Sequence, residues 1–403
     1  MATNKSFFNR ILRIKFLSVF FVLFSLANAL HAEYFSLDQF SFTMDIPEGY
    51  ELKDFNPETN SFFFETRLMP VKLALKIYSA EETKLSAKDQ LADTMAQLKA
   101  NYNAEEISWY KRPCALAYYT FTMPDQKEYT GWALSVQVPL AANPKEKANM
   151  IFLTYADSQI AKDCEQFMIS IIDNVFFCKE DFRRPGPFTC FAYPKTKDEQ
   201  IVINIADRVL SSKIDADAID RSNFVLEREY AVLTLYAKHK SWKEAWQRFY
   251  RLIFKESYSA LDALSEDMYK TLLPLAQRNN FENPEMELIQ MILDWVQDFG
   301  YRRDKGGTDF TSVTASVQGV GSDCDSRSML MCILMEHMGI KSELFVSREY
   351  SHSVFGLAVK HNGALINVDG TDYVLGETTA KVNFGLIAQE HSDTNKWIAV
   401  DLP

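Results

Sequence analysis

The hydrophobic period changes along this chain, and those changes restrict the fold more than any single residue does. From 33 to 177, short segments rich in aromatic and β-branched residues read as strands. They are Phe40 to Ile46 ahead of Pro47, Ser61 to Thr66, Lys72 to Tyr78, Cys114 to Met123, Tyr129 to Val138 and Asn149 to Tyr155. Two helical stretches interrupt them. Ser86 caps one whose Leu91, Met95 and Leu98 share a face, and Ser158 opens another with Ile160, Cys164, Phe167, Met168, Ile171 and Ile172 in one stripe. An antiparallel sheet covered by two helices, an α+β unit, is the expectation.

Pro185-Gly-Pro187 and Pro194-Lys-Thr-Lys197 then mark a boundary. From about Ile201 to Arg278 the period is helical. Ser241-Trp-Lys-Glu244 has the composition of a capping box, and Trp242, Trp246, Phe249, Tyr250 and Ile253 follow on one side as core or an inter-domain face. His239, with no second His or Cys near it, reads as a solvated charge at a helix C-terminus. Asn283-Pro284 starts a further helix that stops at Gly300, and a polar loop from Arg302 to Asp309 leads to a glycine-rich turn at Gln318 to Ser322. A helix from Cys324 and strands at Glu343 to Ser347, Ser353 to Lys360 and Tyr373 to Thr378 close the chain. The expected organisation is a leader at 1–29, an α+β domain at 30–177, a mainly helical connecting segment at 178–282, and a domain at 283–403 with the Cys324 helix packed on an antiparallel sheet.

The leader stands apart in composition. Lys5, Arg10, Arg13 and Lys15 precede an apolar run from Phe16 to Leu26, and Ala27-Asn28-Ala29 is a small-residue cleavage signal, with Ala32 a second candidate. The run is shorter than the ~20 residues a spanning helix needs. A cleaved export signal is therefore expected over a retained anchor, with a periplasmic or extracellular mature protein. Cleavage moves the net charge from −11 to about −15, which disfavours nucleic acid and anionic membrane surfaces as partners. Six cysteines in 403 residues are too few for a disulfide scaffold. A local bridge between Cys178 and Cys190 is open, and Cys114 and Cys164 either pair or are buried.

Reaction chemistry concentrates near the C-terminus. In Gly321-Ser-Asp-Cys-Asp-Ser-Arg-Ser328, Asp323 is placed to cap the helix that Cys324 opens, and a thiolate there is favoured by the helix dipole. Cys332, within Met329 to Leu334, fits a buried structural residue instead. His352 stands at a strand start after the Cys helix. His361 in a His-Asn-Gly turn and His391 in a polar loop are poorer candidates, and His337 is at the far end of the Cys helix. Two acids compete to orient His352. Glu377 follows an apolar strand, where a charge needs a reason; Asp369 is already explained by the Asp369-Gly370 turn, so Glu377 is preferred with Asp369 the alternative.

The order Cys, His, acid, with Gly-x-Gly-Ser-Asp-Cys-Asp-Ser ahead of a helix ending in Met338-Gly-Ile340, resembles the transglutaminase-like (papain-like thiol) superfamily over residues 283–403. The resemblance implies that Cys324 is nucleophile, His352 base and acid, and Glu377 or Asp369 the orienting group. The Cys324 N–H is the expected oxyanion donor, with the Gln318 amide as a second. The implied activity is acyl transfer or hydrolysis at amide bonds of peptides or glutamine side chains, on a peptide or protein substrate of the cell envelope. No cofactor and no metal are called for, since no His/Cys cluster has ligand spacing. Ile46-Pro-Glu-Gly-Tyr50 and the element order of 33–177 resemble, more loosely, the PsbP/Mog1-type sandwich. That likeness implies binding or docking and supplies no catalytic residue. A catalytically silent binding or scaffolding protein of the envelope is the alternative.

Overall fold

The computed structural model describes residues 34–403 except 80–81, 83–84, 141–142, 144 and 303–309. The leader and most of the Arg302–Asp309 loop lie outside these residues. The chain opens with strands β1 (Tyr34–Leu37), β2 (Phe42–Asp45), β3 (Tyr50–Asn56), β4 (Ser61–Thr66) and β5 (Lys72–Tyr78). Helix α1 (Ala87–Leu98) follows, then β6 (Asn101–Trp109), β7 (Arg112–Thr122), β8 (Glu128–Pro139) and β9 (Lys147–Asp157). Strands β3 to β9 form one seven-stranded antiparallel sheet in the order β3-β4-β5-β9-β8-β7-β6. Both faces are apolar because each is covered. Leu91 and Met95 of α1 pack with Ala115, Tyr119 and Ile151 on one side, and a larger core holding Phe42, Leu73, Leu134, Phe152 and Met168 fills the other.

Helix α2 is shorter than its apolar stripe suggests, spanning Glu165–Ile172. Ser158 is drawn into the sheet, its N–H bonded to the Glu128 carbonyl and its hydroxyl 2.7 Å from Thr130, so residues 158–164 run as turns. Strand β10 (Val175–Phe176) pairs with β2, and α3 (Pro187–Ala192) follows. All six cysteines are free thiols, so no Cys178–Cys190 bridge forms, and Cys114 and Cys164 are buried rather than paired.

The helical period expected from Ile201 is wrong at its start. Asp198–Ile205 and Arg208–Asp215 form a hairpin, β11 and β12, turning at Ala206-Asp207, both with positive φ. Apolar residues alternating along Ile201, Ile203 and Ile205 put Ile203 and Ile205 into the core, which is a strand signal. Helices α4 (Ala218–Thr234), α5 (Trp242–Tyr258) and α6 (Asp262–Asn279) then do make the segment mainly helical. The Ser241 side chain makes no cap bond; its N–H instead donates to His239 Nδ1 at 3.3 Å, and the His239 ring packs on Tyr236. His239 thus lies in the turn between α4 and α5, half-buried.

Helix α7 (Pro284–Gln297), capped by the Asn283 side chain, is followed by α8 (Val313–Val317) and α9 (Cys324–His337). Strands β13 (Ser342–Ser347), β14 (His352–Leu357), β15 (Leu365–Val368), β16 (Thr371–Gly376) and β17 (Ile398–Val400) form an antiparallel sheet in the order β15-β16-β14-β13-β17. From Met329 to Met335 helix α9 is apolar all round because it is buried all round, with α5, α6, α7 and α8 on one side and β13 and β14 on the other. One core runs from Ile203 through α9 to Val400. Among the described residues no helix is long and apolar enough to cross a membrane.

Candidate active site

Cys324 is the first residue of α9, and its position is fixed by a reciprocal cap. The Asp323 carboxylate accepts from the Ser326 N–H at 2.8 Å, and the Ser326 hydroxyl accepts from the Asp323 N–H at 3.0 Å. Asp323 Oδ2 also accepts from the Thr311 N–H. Burial foremost, and then the Asp325 charge, raise the Asp323 carboxyl to about 7 despite these bonds.

The thiol is buried, at 6% exposure, with its sulfur 4.0 Å from Asp325 Oδ2. Burial pushes Cys324 up to about 12, and Asp325 and Asp323 push the same way, against Ser353 contacts that favour thiolate. Burial first, and then the two neighbouring carboxyls, act against the thiolate expected at a helix terminus. Fully buried Cys332 is also raised, its burial opposed chiefly by the Ser342 hydroxyl.

His352 opens β14, and its Nε2 lies 2.8 Å from Glu377 Oε2. Glu377 directly follows β16, the neighbour of β14 in the sheet. The close approach of these strands requires Gly376, because a Cβ there would collide with the Phe355 ring. The other oxygen of Glu377 accepts from the Thr379 N–H and hydroxyl at 2.6 and 2.7 Å. Burial alone drives this carboxyl up; the His352 bond and charge and the Thr379 bonds outweigh it and set it at about 2. Asp369 sits elsewhere, in the turn between β15 and β16 with φ 48°, exposed.

Cys324 and His352 line one depression of about 240 Å³, together with Asp323, Asp325, Ser347 and Arg348. Its far wall comes from the middle segment: Tyr230 and Leu233 of α4 and Trp246, Phe249 and Tyr250 of α5. The buried Tyr250 hydroxyl donates to Asp325 Oδ1 at 2.9 Å. Among the described residues no hydrogen bond joins Cys324 Sγ to the His352 ring. Since Nε2 faces Glu377, Nδ1 is the nitrogen left for a proton from the thiol. Gln318 is not brought to this depression. It caps the C-terminus of α8 and is exposed, with Gly319 at φ 76° turning the chain away.

Three residues at the site were not picked out from the sequence as parts of it. Arg327, one turn into α9 and buried, donates from Nε to Ser322 Oγ at 2.8 Å, from Nη1 to the Thr378 carbonyl at 3.0 Å, and from Nη2 to the Phe299 carbonyl. It thereby ties the Cys324 turn to the residue after Glu377. Gln297, at the end of α7, donates to the Glu377 carbonyl at 2.8 Å. His391, set aside as a loop residue, has its ring centroid 5.0 Å from that of His352. The only sequence signal for Arg327 was a charge just ahead of the apolar run Met329 to Met335.

No family model matches this chain, and no curated protein matches it. Among solved structures it is similar to the solution structure of cyanobacterial PsbP from Synechocystis, at 12% identity over 37% of this chain and 94% of that one, with a TM-score of 0.29. It is also similar to the crystal structure of a "putative protease" from Parabacteroides distasonis, at 10% identity over 78% of this chain and 63% of that one, with a TM-score of 0.19. The chain thus spans less than two thirds of the second structure. Likeness at this level carries no argument about function.

Proposed function

We propose that this protein is a transglutaminase-like thiol enzyme, exported to the periplasm or beyond, that breaks or exchanges amide bonds of peptides or glutamine side chains. The observation that carries the reading is the 2.8 Å His352–Glu377 pair on the rim of the depression that holds Cys324 at a helix N-terminus. In this reading the thiol is neutral at rest. His352 Nδ1 takes the thiol proton as the sulfur attacks the amide carbon, so thiolate character develops only with substrate in place. Glu377 fixes the tautomer with the proton on Nε2 and stabilises the imidazolium. The Cys324 N–H, on the first turn of α9, faces the developing oxyanion. His352 then protonates the departing amine, leaving a thioester on Cys324. Water releases a carboxylic acid, or a lysine amine takes the acyl group and forms a new amide. The aromatic wall from α5 suits an apolar side chain next to the scissile bond.

A catalytically silent binding protein is the competing reading, and the thiol held at about 12 favours it. The two separate on a peptide-based thiol-reactive probe at neutral pH. The enzyme labels on Cys324 and its Cys324→Ala variant does not; equal labelling of both proteins leaves only the binding reading.

A further inference from the structure

We propose that His352, Glu377 and His391 form a binding site for a divalent transition metal of the zinc type. One nitrogen from each imidazole and one Glu377 oxygen all lie within 4.8 Å of one another. The three residues come from separate places in the chain: the start of β14, the end of β16 and a one-turn 3-10 helix at Gln389–His391. This is why no ligand spacing is visible in the sequence.

Two observations point to a ligand beyond the His352–Glu377 hydrogen bond. His391 Nδ1 is buried and has no hydrogen-bond partner. The residue is also held where it is, since its carbonyl accepts from Trp397 Nε1 at 2.9 Å and its ring packs on Tyr350 at 4.9 Å between centroids. A loop imidazole pinned beside a second imidazole, with an unused nitrogen and a buried carboxylate in reach, has the composition of a metal site. Two nitrogens and one oxygen with a position left open suit zinc or cobalt better than calcium or magnesium, which favour all-oxygen shells. Bonds of about 2.1 Å in tetrahedral geometry separate donor atoms by about 3.4 Å. Binding therefore opens the 2.8 Å His352–Glu377 contact slightly and draws His391 inward.

Occupancy has a consequence that rests on the thiol reading above. The metal takes both the base and its orienting acid, so a loaded protein loses the proton acceptor for Cys324, and zinc acts as an inhibitor. The metal site itself does not depend on that reading.

The test is titration of the metal-free full-length chain with Zn²⁺ against a chromophoric chelator, and with Co²⁺ followed by its visible absorption. The wild type is expected to bind one ion per chain at micromolar or lower concentration. His391→Asn should weaken binding by more than the roughly 10–100-fold that loss of an outer-shell partner costs. His391→Cys, which restores a ligand, should recover Co²⁺ binding and add a sulfur-to-cobalt charge-transfer band, which shows that the loop variant is folded. His361→Asn should bind as wild type. Cys324→Ala should keep the zinc affinity, so failure of the thiol chemistry and failure of this site are told apart. Binding that survives His391→Asn, binding lost in Cys324→Ala, or no uptake by the wild type below about 1 mM, overturns the proposal.

Discussion

Among the buried polar clusters of the described residues, two are built in opposite ways. One ties the end of β2 and the segment after α2 to α4 and α5. There Arg248 Nε meets Asp45 Oδ1 at 2.8 Å and its Nη1 meets Glu229 Oε2 at 3.1 Å, while Arg228 meets Asp173 at 2.9 Å and Glu229 at 2.7 Å. Lys255 adds bonds to the Asp173 carbonyl and Asn174. The carboxylates of this cluster face guanidinium groups, and its members are almost fully enclosed. At the other cluster, Asp323 and Glu377 are held by N–H groups, hydroxyls and an imidazole. That cluster opens onto a depression and keeps a buried nitrogen of His391 unused. Burial and charge are common to both. Of the two, the second is the one that opens onto a depression, and access is what chemistry or a ligand needs.

The largest effect that would sharpen this contrast is on turnover. Glu377→Gln should lower amide turnover by about 10³–10⁴, because the amide disfavours the required imidazole tautomer. Asp369→Asn, in its exposed turn, should change turnover less than about twofold, as surface substitutions away from a site do. Steady-state kinetics on both variants decide the orienting acid, and a loss in Asp369→Asn alone would move the role there.

The enclosed cluster should respond in stability instead. Arg248→Met leaves Asp45 and Glu229 short of a cation in a dry environment and should cost about 3–5 kcal/mol in denaturant unfolding. Thiol labelling per folded molecule should be unchanged. A variant that kept its stability but lost labelling would break the division between the clusters.

Stability should also depend on pH in a two-sided way. Glu377, at about 2 when folded against an ordinary 4.5, contributes stability that is present above pH 4.5 and is lost as pH falls toward 2, on the order of 3 kcal/mol. Glu48 and Glu256, each raised chiefly by burial to about 7, and Glu343, raised to about 9, act in the other direction. Their contribution is complete below pH 4.5 and is lost as pH rises through 7 and then 9. Unfolding free energy measured across pH should therefore peak near pH 5, and a peak above pH 8 would contradict these environments.

A smaller effect tests the local field on the thiol. Alkylation by iodoacetamide needs thiolate, so the Cys324 rate should climb about tenfold per pH unit through the neutral range. Asp325→Asn should speed it several-fold at any one pH by removing the nearest negative charge. An unchanged rate would mean that burial alone sets the thiol.

Much of this architecture was readable in the sequence, where the deciding forces are local. Alternation marked β4, β5, β7, β8 and β9, Asn283-Pro284 marked the start of α7, and Asp323 two residues past Gly321 marked the start of α9. The β11–β12 hairpin was misread because isoleucines at 201, 203 and 205 were absorbed into the helical period that follows. The site was readable in its parts that carry a local signal: a cysteine at a helix start, a histidine at a strand start and a charge, Glu377, after an apolar strand. Trp246 and Tyr250 read correctly as an apolar face, but nothing in α5 says that this face looks onto a cysteine some 75 residues later. Arg327 and His391 owe their places to contacts across the fold, with Phe299 and Thr378 in one case and with His352 and Trp397 in the other. Such contacts leave no period in the sequence.

The central claim is that His352 activates a thiol that is otherwise protonated. Its most direct test is the rate of Cys324 modification by a peptide-based thiol-reactive probe in wild type and His352→Gln, followed by mass spectrometry of the labelled site with Cys332 as internal reference. The account predicts labelling of Cys324 at neutral pH, well ahead of Cys332, and a fall of at least about 100-fold in His352→Gln, the scale of a lost general base. Equal rates in the two proteins, or labelling no faster than that of Cys332, would contradict it.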